Sequence, residues 1–321
     1  MAQIAVKVLR RQQEALDIAS FELARPDGSA LPGFSAGSHI DVQLPNGLTR
    51  QYSLCNDATE QHRYRIAVLR DPKTRGGSAS MHDAVKEGDT LLISEPRNHF
   101  PLVHAQRALL FAGGIGVTPL LCMAQRLAAI GSDFTLHYCT RSAERTAFRG
   151  EIAGSGYADR VKFHFDDGPP SQKLDLDRVL AKPEAGTHLY VCGPTGFIAW
   201  VVKAAEGWGW SKEQVHLEYF GAEAQDTGGD QAFQVKIASS GMVVEVAAQQ
   251  TVVQALQAQG IEILTSCEQG VCGTCITRVL QGECDHRDLY FTDEEKAKHD
   301  QFTPCCATRR RAAARPPCTM R

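Results

Sequence analysis

A chain of 321 residues, 43% hydrophobic and 22% charged, is long enough for two or three domains that each bury a core. Its formal charge of −3 leaves no basic footprint for nucleic acid or an anionic membrane, and no apolar run approaches the ~18 residues of a membrane span. The opening Met1-Ala2-Gln3-Ile4-Ala5-Val6-Lys7 lacks the regions of a signal peptide, so the eleven cysteines are expected as reduced thiols and metal ligands in the cytoplasm.

Residues 1–103 read as short strands, among them Ile4–Val8, His39–Leu44 and Tyr64–Leu69, with turns at Pro26-Asp27-Gly28, Pro45-Asn46-Gly47 and Glu87-Gly88-Asp89. Strands at that spacing predict a small antiparallel β-barrel. From residue 104 to 221 strands alternate with helices. Ala108–Ala112 is a continuous apolar strand, followed by Gly113-Gly114-Ile115-Gly116 and a helix from about Thr118 to Ala129. Further strands at Phe134–Cys139, Val161–Phe165 and Leu189–Cys192 predict a doubly wound parallel sheet. Residues 222–231 are polar and aperiodic, as a linker would be. In residues 232–321 a hairpin is predicted where Phe233/Val235/Ile237 and Met242/Val244/Val246 flank Ser239-Ser240-Gly241, then a helix with Val252, Val253, Ala255 and Leu256 on its apolar face. A hairpin, a helix and a cysteine loop make a β-grasp-like unit.

That loop carries the strongest chemical signal. Cys267, Cys272, Cys275 and Cys305 are spaced C-x4-C-x2-C-x29-C, the plant-type [2Fe–2S] spacing, with Gly270 and Gly273 allowing the backbone to wrap close to sulfur. A zinc site would more often show paired C-x2–4-C units. Cys55, Cys122, Cys139, Cys284, Cys306 and Cys318 are expected to be bystanders.

Two weaker signals precede it. Arg50 offers a guanidinium fork to a phosphate, Tyr52 a flat face to an aromatic ring, and Gly76-Gly77-Ser78 successive backbone N–H groups. Gly113-Gly114-Ile115-Gly116-Val117-Thr118-Pro119 lies between a strand and a helix, and Cys192-Gly193-Pro194 follows a later strand. Both turns stand at strand carboxyl ends, where α/β sheets bind ligands. Together they could hold a nicotinamide dinucleotide, with Thr140 and Arg141 meeting its adenosine half.

In that order, Arg-x-Tyr-Ser, Gly-Gly-Ile-Gly-Val-Thr-Pro, Cys-Gly-Pro and the cysteine tail resemble the phthalate dioxygenase reductase family, vanillate O-demethylase reductases included. Asp285-His286-Arg287-Asp288 and Gln301–Cys306 are similar to family sequence too. The resemblance implies FMN, NADH and ferredoxin domains in sequence, feeding a Rieske-type oxygenase. By it, Arg50, Tyr52 and Ser53 would bind FMN, with Ala67, Val68, Gly76, Gly77 and Ser78 completing the ribityl and phosphate contacts. Thr118 would sit near the flavin ring, Cys192 by the nicotinamide, and Phe220 of Glu218-Tyr219-Phe220 over the isoalloxazine.

The expected function is therefore an NADH-dependent reductase, monomeric and binding neither nucleic acid nor membrane. Its electrons would pass through FMN and the [2Fe–2S] cluster to a terminal oxygenase. A cytochrome P450 or other acceptor, or a non-catalytic iron–sulfur redox sensor, are the rival readings. Members of the family end on an apolar strand, whereas this chain continues Ala307-Thr308-Arg309-Arg310-Arg311 to Pro316-Pro317-Cys318-Thr319-Met320-Arg321. Residues 307–321 are expected to lie outside the ferredoxin sheet, with Pro316-Pro317 barring strand pairing.

Overall fold

The computed structural model describes residues 3–72, 75–221, 229–307 and 318–320, which fall into two compact units meeting in sequence at Phe220 and Gly221.

The first unit opens with an antiparallel sheet of β1 (Gln3–Ala15), β2 (Ile18–Ala24), β3 (Ser38–Gln43), β4 (Thr49–Ser53), β5 (Tyr64–Leu69), β6 (Thr90–Ser94) and β7 (Arg97–Asn98). Its order is β4-β3-β6-β1-β2-β5, with β7 paired to β3. The two outer strands are drawn together where the Cys55 N–H donates to the Arg65 carbonyl at 2.9 Å, curling the sheet into a barrel. Val6, Phe21, Leu23, Ile40, Val42 and Ile66 alternate inward to fill it. β1 runs past Ile4–Val8 because its polar continuation still pairs with β2 from Arg10↔Glu22 to Ala15↔Ile18. A short helix, α1 (Gly77–Asp83), follows β5.

In the same unit a parallel sheet has the order β10-β9-β8-β11-β12. Its strands are β8 (Arg107–Gly113), β9 (Asp133–Thr140), β10 (Val161–Phe165), β11 (Thr187–Gly193) and β12 (Val215–Tyr219). The helices are α2 (Val117–Ala129), α3 (Arg149–Ala153), α4 (Leu176–Leu180) and α5 (Thr195–Trp208). One face of the sheet buries α4 and α5 through Phe111, Leu189, Val191, Ile198 and Val201. The other buries α2 in a core that also takes in Ile18, Cys55, Ala67 and Phe100 from the barrel side. Barrel and parallel sheet thus share one core.

The second unit holds β13 (Phe233–Ile237), β14 (Val243–Val246), α6 (Val252–Ala258), β15 (Thr277–Gln281), α7 (Asp293–Lys296), β16 (Gln301–Phe302) and β17 (Cys318–Met320). The helix begins at Thr251, whose hydroxyl accepts from the Gln254 N–H while Gln254 reaches back, a reciprocal cap. The sheet order is β14-β13-β17-β15-β16. That order corrects the expectation for the tail. β17 is the central strand, parallel to β13 and antiparallel to β15, and Met320 is buried against Val235 and Val279. Pro316-Pro317 precede the strand instead of interrupting it, and residues 308–317 lie outside the described residues. So do residues 222–228 of the expected linker, while Asp230 is tied to Arg287.

Candidate active site and cluster loop

Arg50 projects from β4 and its side chain crosses the start of α1. A Cβ on Gly77 would lie 2.8 Å from Arg50 Cγ and 2.9 Å from Nε, so only glycine leaves room for it. Gly76 has φ +94°, a left-handed turn that starts the helix, and its carbonyl accepts from Asn46 Nδ2 at 3.1 Å. Ser78 Oγ accepts from the Asp71 N–H at 3.1 Å. The segment expected to cradle a phosphate therefore presents a guanidinium and a glycine turn side by side. Tyr52 is half-buried beside them, and Ala67 and Val68 are buried in β5.

The two nucleotide turns are in backbone contact. A Cβ on Gly116 would stand 2.2 Å from the Cys192 carbonyl oxygen, and one on Gly193 2.9 Å from Gly113 Cα. Gly113 is itself covered by Phe197 and Pro194. The glycines thus permit the ends of β8 and β11 to close on each other, with Gly114 at φ +55° making the turn between them. The turn Gly114–Gly116 also adjoins β5, which carries Ala67 and Val68. Thr118 is buried and its hydroxyl donates to the Ile115 carbonyl at 3.1 Å, bracing that turn; Pro119 is buried behind it. Thr140 is buried too. Its hydroxyl bonds Thr146 Oγ1 at 2.7 Å and the Ser142 carbonyl at 3.1 Å, which leaves the exposed Arg141 as the reaching group at the end of β9. Phe220, one residue beyond β12, is 40% exposed.

Between these segments lies a residue that pattern reading passed over in favour of Phe220. Parallel pairing sets Cys192 on β11 opposite Glu218 on β12. Glu218 Oε2 accepts from Ser53 Oγ at 3.3 Å and from Cys192 Sγ at 3.9 Å. Burial pushes the Glu218 carboxyl up to about 8, with the Ser53 and Cys192 contacts opposing it only in part. Burial and the neighbouring Glu218 raise the Cys192 thiol as well. Ser53, Cys192 and Glu218 therefore meet in a polar trio whose partial burial favours the protonated acid and thiol.

In the second unit Cys267, Cys272, Cys275 and Cys305 are all buried, and their sulfurs contact one another. Cys272 and Cys305 both donate to Cys267, which with the N–H groups of Gln269 (3.4 Å) and Val271 (3.5 Å) lowers the Cys267 thiol strongly. Cys275 contacts Cys305 in turn. Among the described residues no three His, Cys, Asp or Glu side chains are already spread around a single-ion position. The fit to a cluster rests on four sulfurs linked in a chain of contacts, Cys272 to Cys267 to Cys305 to Cys275, and the N–H groups aimed at Cys267. Gly270 and Gly273 both have φ +70°, and a Cβ would strike Cys306 Sγ at 2.4 Å in the first case and the Tyr290 ring at 2.4 Å in the second. Cys306 thus packs on Gly270 and bonds Thr303 Oγ1 at 3.1 Å. The Asp285–Asp288 stretch braces the loop. Arg287 binds Asp230 at 2.9 Å and Asp285 at 3.1 Å, Asp288 accepts from the Phe291 N–H at 2.9 Å, and the Leu289 N–H donates to the Gly270 carbonyl at 3.1 Å.

The 2Fe-2S iron-sulfur cluster binding domain matches residues 235–310. The vanillate O-demethylase oxidoreductase of Pseudomonas putida is 55% identical over 302 residues, 94% of this chain and 95% of its own length. A solved phthalate dioxygenase reductase, described as a modular structure for electron transfer from pyridine nucleotides to [2Fe–2S], is 39% identical and superposes with a TM-score of 0.78, covering 99% of this chain and 98% of that one. A type IV self-sufficient cytochrome P450 monooxygenase is 37% identical with a TM-score of 0.83, although this chain covers only 41% of it. With its glycine turns, its Ser53–Glu218–Cys192 trio and its four-cysteine loop, the chain belongs to the phthalate dioxygenase reductase family of flavin and iron–sulfur reductases.

Proposed function

We propose that this protein is the electron-transfer reductase of a Rieske-type oxygenase system, carrying electrons from NADH through FMN and its [2Fe–2S] cluster to the terminal oxygenase. One observation carries the reading. A single chain joins the Ser53–Glu218–Cys192 site, framed by the two glycine turns, to a loop in which four cysteine sulfurs converge. The flavin takes two electrons together from nicotinamide and releases them singly to iron–sulfur.

The residues supply positions more than reagents. Arg50 and the N–H groups of Gly76, Gly77 and Ser78 would grip the single phosphate of FMN. Tyr52 would lie against its ring, with Ala67 and Val68 along the same strand. The Gly113–Pro119 and Cys192–Pro194 turns would admit the dinucleotide, with Thr140 and Arg141 at its adenosine end. Thr118 holds its turn in shape, and Phe220 would cover the ring. Glu218, whose acid form its partial burial favours, would accept from Ser53 beside the Cys192 turn. In the second unit, the bracing of Gly270 and the N–H groups on Cys267 would hold the four sulfurs in place for iron.

Preference for NADH over NADPH is supported by the surroundings of Arg141. Arg145, the nearby second cation, is engaged with Asp17 at 3.2 Å, and Glu144 would repel a 2′-phosphate. Cytoplasmic residence is supported by ten described cysteines that are all free thiols. Among the described residues no helix is long and apolar enough to cross a membrane. We take the working species to be a monomer.

Anaerobic titration with NADH tests the assignment: flavin and cluster absorbance should bleach together, and acid extraction should release FMN. Cys272→Ser should leave flavin bleaching fast and abolish reduction of a one-electron protein acceptor. Stoichiometric FAD, or flavin that NADH leaves oxidised, would sink the reading. Likeness to the P450 fusion favours a P450 as second acceptor, and turnover that supports a P450 but no Rieske oxygenase would select it.

A further inference from the structure

Glu151 on α3 takes no part in the sites above, yet it is the anchor of a buried cation. Arg65 on β5 is only 9% exposed. Its two terminal nitrogens meet the Glu151 carboxylate at 2.7 and 2.8 Å, a two-pronged pairing, and one of them also donates to the Cys55 carbonyl at 3.1 Å. The guanidinium carbon lies 5.0 Å from the centre of the Phe148 ring. Gln125 Nε2, from α2, completes Glu151 at 3.3 Å. Phe148 is buried and left-handed, with φ 61° and ψ 15°, a conformation a bulky residue adopts only where its surroundings impose it.

The sequence neighbours show what this contact joins. Cys55 follows Ser53 by two residues, and Arg65 precedes Ala67 by two, so one guanidinium ties together both strands that face the flavin. Phe148 and Glu151 stand at the far end of the stretch that begins with Thr140 and Arg141 at the nucleotide's adenosine end. We propose that the Arg65–Glu151 pair, seated on Phe148, is a positioning device that fixes the flavin-binding strands of the barrel relative to the nucleotide-binding stretch of the parallel sheet. Nicotinamide and flavin must meet within about 3.5 Å, so a small rotation of one lobe against the other would cost rate without removing any group that touches either.

The inference rests on the NADH-to-FMN reading. In the FMN- and cluster-loaded full chain, Glu151→Gln keeps the shape and loses the charge. It should slow flavin reduction at saturating NADH by roughly tenfold or more, while FMN retention and the cluster spectrum stay as in the wild type. Amide hydrogen exchange should quicken together in residues 54–67 and 141–151 and stay unchanged in the iron–sulfur unit. Arg65→Lys, which keeps charge but loses the fork, should fall between wild type and Glu151→Gln. If Glu151→Gln fails to retain FMN, Gln125→Leu removes the outer contact on Glu151, and with it a contact to Tyr157, and should give a smaller slowing with the same exchange pattern. Wild-type rates in a folded Glu151→Gln, or slowing without exchange change in those two stretches, would overturn the proposal. A wild-type protein whose flavin NADH leaves oxidised would instead defeat the functional reading, and the exchange pattern alone would then judge the clamp.

Discussion

Burial raises the Glu218 carboxyl above its ordinary range, and this makes stability depend on pH in a definite direction. Its ordinary value is 4.5 and burial raises it to about 8. Between those values the unfolded chain has given up the proton that the folded chain retains, so the cost to folding is absent below pH 4.5 and grows as pH rises to about 8. Glu218→Gln removes the titration while keeping an acceptor for Ser53. The variant should lose less thermal stability than wild type between about pH 5 and about pH 8, and its flavin-reduction rate should lose any inflection near that upper limit. Parallel melting curves across that range test it; identical slopes would mean that Glu218 is already ionised. Nothing in Glu218-Tyr219-Phe220 distinguishes the acid by itself. Its role comes from the pairing of β11 with β12, which sets it opposite Cys192 across 26 residues of chain. Sequence pattern drew attention to the aromatic neighbour because a flat ring advertises its chemistry and a strand carboxylate does not.

Among the elements, the glycines of the two sites differ in what they protect, and substitution should separate them. A methyl on Gly116 would meet the backbone of Cys192 and Gly193 at 2.2–2.6 Å, where nothing can swing aside. Gly116→Ala should therefore cost more than about 3 kcal/mol or yield insoluble protein. A methyl on Gly77 meets only the flexible Arg50 side chain. Gly77→Ala should fold normally and hold FMN about tenfold or more weakly, since a displaced guanidinium forfeits a charge-assisted bond. Circular dichroism with fluorimetric FMN titration distinguishes the two outcomes. These turns were legible because a glycine cluster between a strand and a helix has few other uses. β10 was legible as a strand from its apolar alternation, and the β13–β14 hairpin from alternation on both sides of a turn, which states its pairing locally. β17 was not. Three residues carry no period, and its place is decided by β13 and β15, each of which leaves an edge that a further strand must fill. The Arg65–Glu151 pair was hidden likewise, because 86 residues separate partners that look, one at a time, like ordinary surface charges.

For the whole molecule, charge is distributed unevenly. Residues 232 to 306 carry ten Asp or Glu and five Lys or Arg, a formal −5 before any cluster is counted, whereas residues 307–321 of the same unit add five Arg and no acid. The acidic 232–306 stretch should steer a basic patch on the oxygenase, so turnover with the partner should fall as ionic strength rises while flavin reduction by NADH stays flat. Turnover indifferent to salt would assign docking to apolar contact instead. Removal of the tail now has a definite expectation as well. A chain ending at Thr308 lacks β17, so β13 and β15 lose their common neighbour and Val235 and Val279 lose Met320. It should lose cluster absorbance on purification while keeping FMN and NADH-dependent flavin reduction.

The position of β17 also bears on how the protein is made. Four strands of the iron–sulfur sheet and all four cluster cysteines leave the ribosome before the strand that belongs between β13 and β15. Domains fold in the order they emerge, so the flavin- and nucleotide-binding unit can be complete while its electron outlet is still two half-sheets. Iron delivered before the last strand docks meets a pocket whose walls are not yet joined, and durable cluster insertion should await the pairing of Met320 with β13 and β15. A prematurely terminated chain would then carry flavin without an iron–sulfur relay, spending NADH on dissolved oxygen.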